Sequence, residues 1–231
     1  MANLFQKLFV LFLVSFLVAC QTATSPEEMA KLRTGAEAGD ALSQLNLGLA
    51  YDSGAGGEQD YVEAAKWYKA AADQGLPEAQ NSLGSLYEAG LGTPKDLKMA
   101  FIYYEKAFYQ GHPEATNNLG YLYDIGLGVK QDRKKGFELY KKSAEAGFIR
   151  GMLNVGLDYS GGTGTDRDYV QAYKWLDLAR FYSQTSTDSQ VKWNSRSALD
   201  NLIEYMQPAE IEQGKALAIQ WAKQHENTNI H

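Results

Sequence analysis

Residues 76–111 read LPEAQNSLGSLYEAGLGTPKDLKMAFIYYEKAFYQG, and this stretch of 36 residues decides the fold. Its glycines and one of its tyrosines return at the same spacing before and after it, in three registers that persist over four copies. These are Gly39, Gly75, Gly111 and Gly147, then Gly48, Gly84, Gly120 and Gly156, then Tyr51, Tyr87, Tyr123 and Tyr159. Chance does not preserve three registers over four copies, and a fixed period of this size indicates an array of repeated units.

Each unit predicts two helices joined by a glycine-rich loop. In residues 76–111, Leu83, Gly84 and Tyr87 form one apolar stripe of the first helix, which we call helix A. Pro77 opens this helix at a position where a missing N–H costs nothing. Helix A ends at Gly90, which can adopt the positive φ of a tight reversal.

The second helix of each unit, helix B, follows an aspartate. In the first copy, Asp60 and Glu63 have the spacing of a capping box, and helix B is predicted from Tyr61 to Asp73. A single hairpin cannot bury its apolar face alone, so the copies must stack on one another.

The pattern resembles the sel-one-like repeat, a relative of the tetratricopeptide repeat. That family reads A-x-x-x-L-G-x-x-Y-x-x-G-x-G, then D-x-x-x-A-x-x-W/Y-x-x-x-A-A-x-x-G. The second copy matches it at Ala79, Leu83, Gly84, Tyr87, Gly90, Gly92, Asp96, Ala100, Tyr103, Ala107 and Gly111. The resemblance implies an all-α protein, an α/α superhelical solenoid of helical-hairpin repeats with helical caps, whose usual role is to bind other proteins.

The repeats and their flanks divide the chain. We predict four repeats, at 40–75, 76–111, 112–147 and 148–183. Residues 27–39 are predicted to be an N-terminal capping helix, because Ala36 and Gly39 fall in register with Ala72 and Gly75. Residues 184–226 are predicted to form C-terminal capping helices, since two apolar-periodic segments there are separated by Pro208.

The N-terminus carries a predicted export signal at residues 1–19. The apolar run 8–19 is shorter than the roughly 20 residues that span a bilayer, but it suits a secretory signal. It ends in Leu17-Val18-Ala19-Cys20, which resembles the bacterial lipobox, and Cys20 is the only cysteine. We therefore predict lipidation at Cys20, followed by a linker at residues 20–26. Gln21 is not the aspartate that retains such lipoproteins in the inner membrane, so the resemblance implies the outer membrane, facing the periplasm; the inner membrane and the cell surface are the alternatives.

Catalytic and metal-binding patterns are weak. The histidines, His112, His225 and His231, are far apart in sequence, so neither a metal site nor a cofactor is expected. Ser189 and Lys192 have S-x-x-K spacing, but about one such pair arises by chance at this composition, and no K-T-G accompanies it. The alternative function is a cell-wall-related or β-lactam-hydrolysing enzyme, because some cysteine-rich exported relatives have been described so. Those relatives carry a disulfide in each repeat, which this chain cannot form.

The predicted activity is binding. With 28 acidic and 22 basic residues, the net charge of −6 argues against nucleic acid. The resemblance to tetratricopeptide arrays implies a groove lined by helix A side chains that point away from the core. Those positions are Asp52, Glu78, Asn81, Ser85, Glu88, Glu114, Asn117, Tyr121, Asp124 and Arg150.

We expect this groove to hold an unidentified protein or peptide partner. Asn81 and Asn117 would bind its backbone, while Glu88 and Asp124 would meet its basic side chains. A plain solvated helix face is the alternative. The sequence thus predicts a scaffold or adaptor lipoprotein of the bacterial envelope, anchored in a membrane by lipid.

Overall fold

The computed structural model describes residues 25–225, and these residues form helices and turns with no strand. Its helices are α1 (Pro26–Glu37), α2 (Ala41–Ser53), α3 (Tyr61–Asp73), α4 (Pro77–Ala89), α5 (Leu97–Tyr109), α6 (Pro113–Ile125), α7 (Arg133–Glu145), α8 (Ile149–Gly161), α9 (Tyr169–Ser183), α10 (Ser189–Ile203) and α11 (Pro208–Gln224). The predicted all-α solenoid of helical hairpins is confirmed.

The flanking predictions fall partly within the described residues. Helix α1 begins one residue before the predicted N-terminal cap, and α10 and α11 lie within the predicted C-terminal capping region. The predicted signal at 1–19, Cys20 and His231 lie outside the described residues. Of the helices between residues 25 and 225, none has both the length and the apolar character needed to cross a membrane.

The described residues form two compact units, which divide between Lys95 and Asp96. The first unit contains α1 to α4, and each of its helices packs against the next one along the chain. The second unit contains α5 to α11. Helices α5 to α9 pack in the same sequential way, α9 also packs against α10 and α11, and α8 touches both α6 and α10.

Aspartates start the B helices. The Asp60 carboxylate accepts hydrogen bonds from the backbone N–H groups of Val62 and Glu63, at 2.9 and 3.1 Å. The predicted capping box is wrong in its second half, because the Asp60 N–H donates to the Tyr51 carbonyl (2.9 Å) and the Glu63 carboxylate instead accepts from the indole of Trp67. Equivalent aspartates cap the other B helices, namely Asp96, Asp132 and Asp168.

The glycine that recurs in helix A leaves room for the ring of a tyrosine on helix B. A Cβ atom placed on Gly48 would lie 2.5 Å from Cδ1 of Tyr68, so only glycine lets α3 come this close to α2. In the second unit, a Cβ on Gly120 would lie 3.0 Å from Cδ1 of Tyr140. Both tyrosines are buried as a result.

Aromatic contacts join successive repeats of the second unit. The ring of Tyr123 meets Phe101 edge to face at a centroid distance of 5.5 Å, and Tyr159 meets Phe137 in the same way at 5.1 Å. Such pairs stabilise a fold beyond the burial of their surface. They fix helix A of one repeat against helix B of the repeat before it.

Candidate functional site

The predicted groove positions of the first unit divide between its interior and its surface. Asp52 is half-buried, and its carboxylate accepts a hydrogen bond from the Tyr68 hydroxyl at 2.9 Å. The Asn81 side chain is only 6% exposed. Glu78 and Ser85 are exposed and Glu88 is half-buried.

In the second unit, α6 carries four predicted positions. Glu114 and Tyr121 are exposed, whereas Asn117 is 6% exposed. The Asn117 carbonyl oxygen accepts a hydrogen bond from the side-chain amide of Asn154 at 2.9 Å. The Asn117 amide therefore joins α6 to α8. The sequence did not reveal Asn154, because it lies one residue off the repeat register of Asn117.

Arg150, on α8, secures the start of α10. Its Nε donates to Oδ2 of Asp188 at 3.1 Å, and a second guanidinium nitrogen binds the same oxygen. The other carboxylate oxygen of Asp188 accepts from the backbone N–H groups of Gln190 and Val191, which caps α10. The hydrogen bond from Arg150, with those from the backbone, holds the pKa of Asp188 below its ordinary value.

Asp124, the fourth position on α6, borders a buried acid. Its carboxylate is 4.0 Å from Nε of Arg133, the first residue of α7, whose side chain is 63% exposed. Asp158 on α8 is only 8% exposed, and no donor among residues 25–225 bonds its carboxylate. Burial and, to a smaller extent, the charge of Asp124 raise the pKa of Asp158 to about 7, while the charge of Arg133 opposes this shift.

The sequence analysis missed Asp158, although a signal was present. Asp158 occupies the repeat position that Leu86 and Leu122 hold in the two preceding copies, and both leucines are buried. An aspartate at a core leucine position is costly unless something compensates for it. This substitution makes Asp158 a candidate functional residue.

Tyr140 on α7 completes the group. Its side chain is 3% exposed, and its hydroxyl forms no hydrogen bond with any residue in 25–225. Burial raises its pKa, and the charges of Asp124 and then Asp158 raise it further, so both carboxylates interact electrostatically with the hydroxyl. We call Asp124, Asp158 and Tyr140, with Arg133 at the edge, the Asp124–Asp158 site.

The histidines and the S-x-x-K pair, which the sequence analysis considered for metal binding or catalysis, have structural roles or lie on the surface. Nδ1 of His112 accepts from the Ala115 N–H at 3.1 Å, which caps α6, and the ring of His225 stacks on Trp221. Ser189 and Lys192, the S-x-x-K pair, are both exposed on α10. Within residues 25–225, no three His, Cys, Asp or Glu side chains are grouped so that they could hold a metal ion.

Comparison with known proteins identifies the array. Residues 41–76, 77–112, 113–148 and 149–180 each match the Sel1 repeat, and together they make up more than half of the chain. The chain belongs to the Sel1 repeat family. The matched repeats begin one residue after each predicted boundary. Sel1 repeat proteins are generally protein-interaction scaffolds, and the fold is typically non-enzymatic.

Solved structures share this Sel1 architecture. A protective antigen present in uropathogenic Escherichia coli strains, which displays an SLR fold, superposes with a TM-score of 0.78 and 26% identity over 92% of this chain and 46% of that one. This protein therefore spans less than half the length of that antigen. A Sel1 repeat protein from Oxalobacter formigenes superposes with a TM-score of 0.65 and 30% identity, over 76% of this chain and 75% of that one.

A more distant structure shows the fold alone. An immunity protein from Pseudomonas aeruginosa has a TM-score of 0.50 and 19% identity, over 84% of this chain and 74% of that one. Among curated proteins, none matches this Sel1 chain in sequence.

Proposed function

We propose that this protein is an adaptor lipoprotein of the bacterial envelope that binds a segment of a partner protein on one face of α6 and α8. The general role of Sel1 repeats as interaction scaffolds supports the binding function. The observation that carries the choice of surface is a pair of large apolar side chains left in solvent. Tyr121 on α6 is 42% exposed, and Leu157 on α8 is 46% exposed.

These two side chains share one side of their helices. Tyr121 and Leu157 occupy the same position in successive repeats. The bond between Asn117 and Asn154 joins the two helices, and Tyr121 lies one helical turn beyond Asn117, as Leu157 does beyond Asn154. The exposed residues on this side form what we call the α6–α8 face: Glu114, Tyr121, Ile125 and Leu157.

The composition of the α6–α8 face suits a protein ligand. Interfaces combine aromatic and aliphatic anchors with a polar rim, and a few anchors carry most of the binding free energy. Tyr121 and Leu157 supply such anchors, while Glu114 and the partly exposed Asp124 supply negative charge. A partner segment with apolar and basic side chains complements both.

The N-terminal sequence supports the envelope location. The apolar run at 8–19 followed by Cys20 has the order of a lipoprotein signal. A lipid on Cys20 would hold the helical repeats at the periplasmic side of the outer membrane. Replacing Cys20 with serine should move the protein from the membrane fraction to the soluble fraction; persistent membrane association would refute the anchor.

Partner binding is tested by crosslinking in intact cells. We expect Tyr121→Ala combined with Leu157→Ala to reduce the recovery of a crosslinked partner at least about tenfold, because both anchors are removed. Tyr205→Ala is the matched control, since this tyrosine is 70% exposed and lies outside the α6–α8 face. Equal recovery with the double variant and the wild type would exclude this face. Asn117 is unsuitable for the test, because its buried amide joins α6 to α8.

A further inference from the structure

The Asp124–Asp158 site contains polar groups that the fold leaves unsatisfied. Asp158 replaces a buried leucine of the repeat, yet no residue in 25–225 donates a hydrogen bond to its carboxylate. The Tyr140 hydroxyl, on a side chain 97% buried by the same measure, also forms no hydrogen bond with a described residue. Buried polar groups in folded proteins nearly always have partners. The side chains of Asp158 and Tyr140 can therefore take a further hydrogen-bond partner from outside the described residues.

These two groups can be reached from solvent. Among the described residues, every side-chain nitrogen or oxygen that is fully enclosed has a hydrogen bond. The unbonded oxygens of Asp158 and Tyr140 are therefore not fully enclosed, although their side chains are buried.

The first unit contains the same arrangement in a closed state. Asp52 and Tyr68 stand two repeats before Asp124 and Tyr140, and there the tyrosine hydroxyl donates to the carboxylate at 2.9 Å. The position of Asp158 is held in that unit by Leu86, which is buried. The hydrogen-bonded pair of Asp52 and Tyr68 in the first unit thus corresponds to Asp124 and the unbonded Tyr140 in the second. Leu86 corresponds to Asp158.

We propose that the Asp124–Asp158 site receives the ammonium group of a lysine side chain from the partner. The proposal rests on the function proposed above, and it names the chemistry that the partner must carry. A lysine ammonium is a compact charge with three donors on a long apolar stem. Two carboxylates and a tyrosine hydroxyl supply the three acceptors, and a buried carboxylate is stabilised by an opposite charge.

Other cations fit this site less well. No described group of three His, Cys, Asp or Glu residues could hold a metal ion, so the site lacks the ligands of a metal centre. Arg133 is the chain's own cation here, but its Nε is 4.0 Å from Asp124, beyond hydrogen-bond distance, and its side chain is 63% exposed. Arg133 therefore screens the open site, and an incoming lysine displaces it.

Binding at this site depends on pH. Asp158 has a pKa of about 7, so it carries its charge above neutral pH and loses it below. The groups that face it are Asp124 from α6 and Arg133 and Tyr140 from α7. Helices α9 and α10 also pack on α8, but the charged Lys174 of α9 interacts with Glu145 and Lys141 instead. Lysine binding is therefore expected to strengthen as the pH rises.

The test uses the full chain, purified in detergent, and two labelled peptides that differ in one group. These are acetyl-Leu-Lys-Leu-amide and the same peptide with norleucine, which keeps the alkyl stem but lacks the ammonium. Fluorescence anisotropy should show that the lysine peptide binds at least about tenfold more tightly than the norleucine peptide at pH 8. The lysine peptide should also bind at least about tenfold more tightly at pH 8 than at pH 5.5. At pH 7, where about half of the Asp158 carboxyls are protonated, carboxyl carbon NMR should show Asp158 losing its proton on binding.

Variants locate the effect. Asp158→Asn should remove the preference for lysine over norleucine and flatten the pH dependence, whereas Asp200→Asn should change neither. Asp200 is an exposed carboxylate on α10, paired with Arg196, and serves as the matched control. If Asp158→Asn does not fold, the two peptides and the two pH values still test the proposal on the wild type.

Each outcome decides between the proposals. Equal binding of the two peptides, a pH-independent preference or an unchanged preference in Asp158→Asn overturns the lysine site, whatever happens to partner recovery. An equal preference for an arginine peptide also overturns it, since the site would then recognise charge alone. Selective lysine binding, with partner recovery unaffected by Tyr121→Ala and Leu157→Ala, supports the lysine site and refutes the proposed binding face.

Discussion

Asp52 and Tyr68 in the first unit correspond by register to Asp124 and Tyr140 in the second, and both tyrosines seat on a glycine of helix A. In the first unit the hydroxyl and the carboxylate are hydrogen bonded. In the second unit the Tyr140 hydroxyl has no hydrogen bond to a described residue. The same positions therefore form a satisfied structural pair in one unit and an open polar site in the other.

The neighbouring helix A also differs between the two units. In the first unit, α4 has the buried Leu86 at the repeat position that Asp158 holds in the second unit. In the second unit, α8 has Asp158 at the equivalent position, where Asp124 raises the pKa of Asp158 and Asp158 raises that of Tyr140. At this single repeat position the two units thus differ by one charged side chain.

The largest expected effect comes from restoring the leucine. A carboxyl pKa of about 7 in the folded protein, against about 3.9 when unfolded, means that the folded state holds the proton more tightly. Stability therefore falls as the pH rises from about 4 to about 7, by about 4 kcal/mol, and is level above that range. We expect Asp158→Leu to be more stable than the wild type by about 4 kcal/mol at pH 8.

Urea unfolding at pH 5 and pH 8 measures this effect. Asp158→Asn is the control, because it removes the titration without adding apolar volume. Between pH 5 and pH 8, the free energy of unfolding of the wild type should fall by more than that of either variant. The same pH dependence in all three proteins would show that Asp158 is not the titrating group.

The second comparison concerns the glycine seats. Alanine at Gly48 would place a Cβ 2.5 Å from the ring of the buried Tyr68, whereas alanine at Gly120 would lie 3.0 Å from the ring of Tyr140. We expect Gly48→Ala to destabilise the protein by about 3 kcal/mol and Gly120→Ala by about 1 kcal/mol. Thermal and urea unfolding compare the two variants. An equal loss of stability in Gly120→Ala and Gly48→Ala would contradict the looser packing of Tyr140 against Gly120.

The repeat was readable from the sequence because its physical demands recur. A glycine recurs on helix A wherever a large side chain of helix B packs against it. An aspartate recurs wherever helix B needs an N-cap, as at Asp60 and Asp132. The bounds of α3 agree with the sequence prediction for the same reason. Periodicity alone therefore fixes the helices and their order.

The candidate site was less readable, because it depends on departures from the repeat. Helical spacing placed Asn117 on the same stripe as Tyr121, but it could not show that Asn154 binds and buries its amide. Arg150 was assigned to the groove, whereas its ion pair with Asp188 depends on where α10 begins. Asp158 was missed because the groove positions were chosen from the side of helix A that points away from the core, and they did not include it.

The third comparison removes the two hydroxyls. Tyr68→Phe deletes the donor to Asp52 and should destabilise the protein by about 1.5–2 kcal/mol, as for other hydrogen bonds to charged groups. Tyr140→Phe deletes a hydroxyl that has no hydrogen-bond partner among the described residues, and its effect should be less than about 0.5 kcal/mol. Unfolding at pH 8 gives both values, and equal losses would mean that the Tyr140 hydroxyl is bonded in solution.

The smallest expected effect separates the charges that act on Asp158. Arg133 lowers the pKa of Asp158 and Asp124 raises it, so Arg133→Gln should raise that pKa and Asp124→Asn should lower it, each by less than about one unit. Carboxyl carbon NMR titration measures both shifts. Arg167→Gln, an exposed arginine over the ring of Tyr169, is the control and should leave the pKa unchanged.

The first unit also differs from the second at the register position of Arg133. Tyr61 occupies that position, and Leu86, in place of Asp158, adds no charge. If Arg133 competes with the lysine peptide for the carboxylates, its removal should both raise the pKa of Asp158 and strengthen binding of that peptide at pH 8. A raised pKa with weaker lysine binding would instead make Arg133 part of the binding surface.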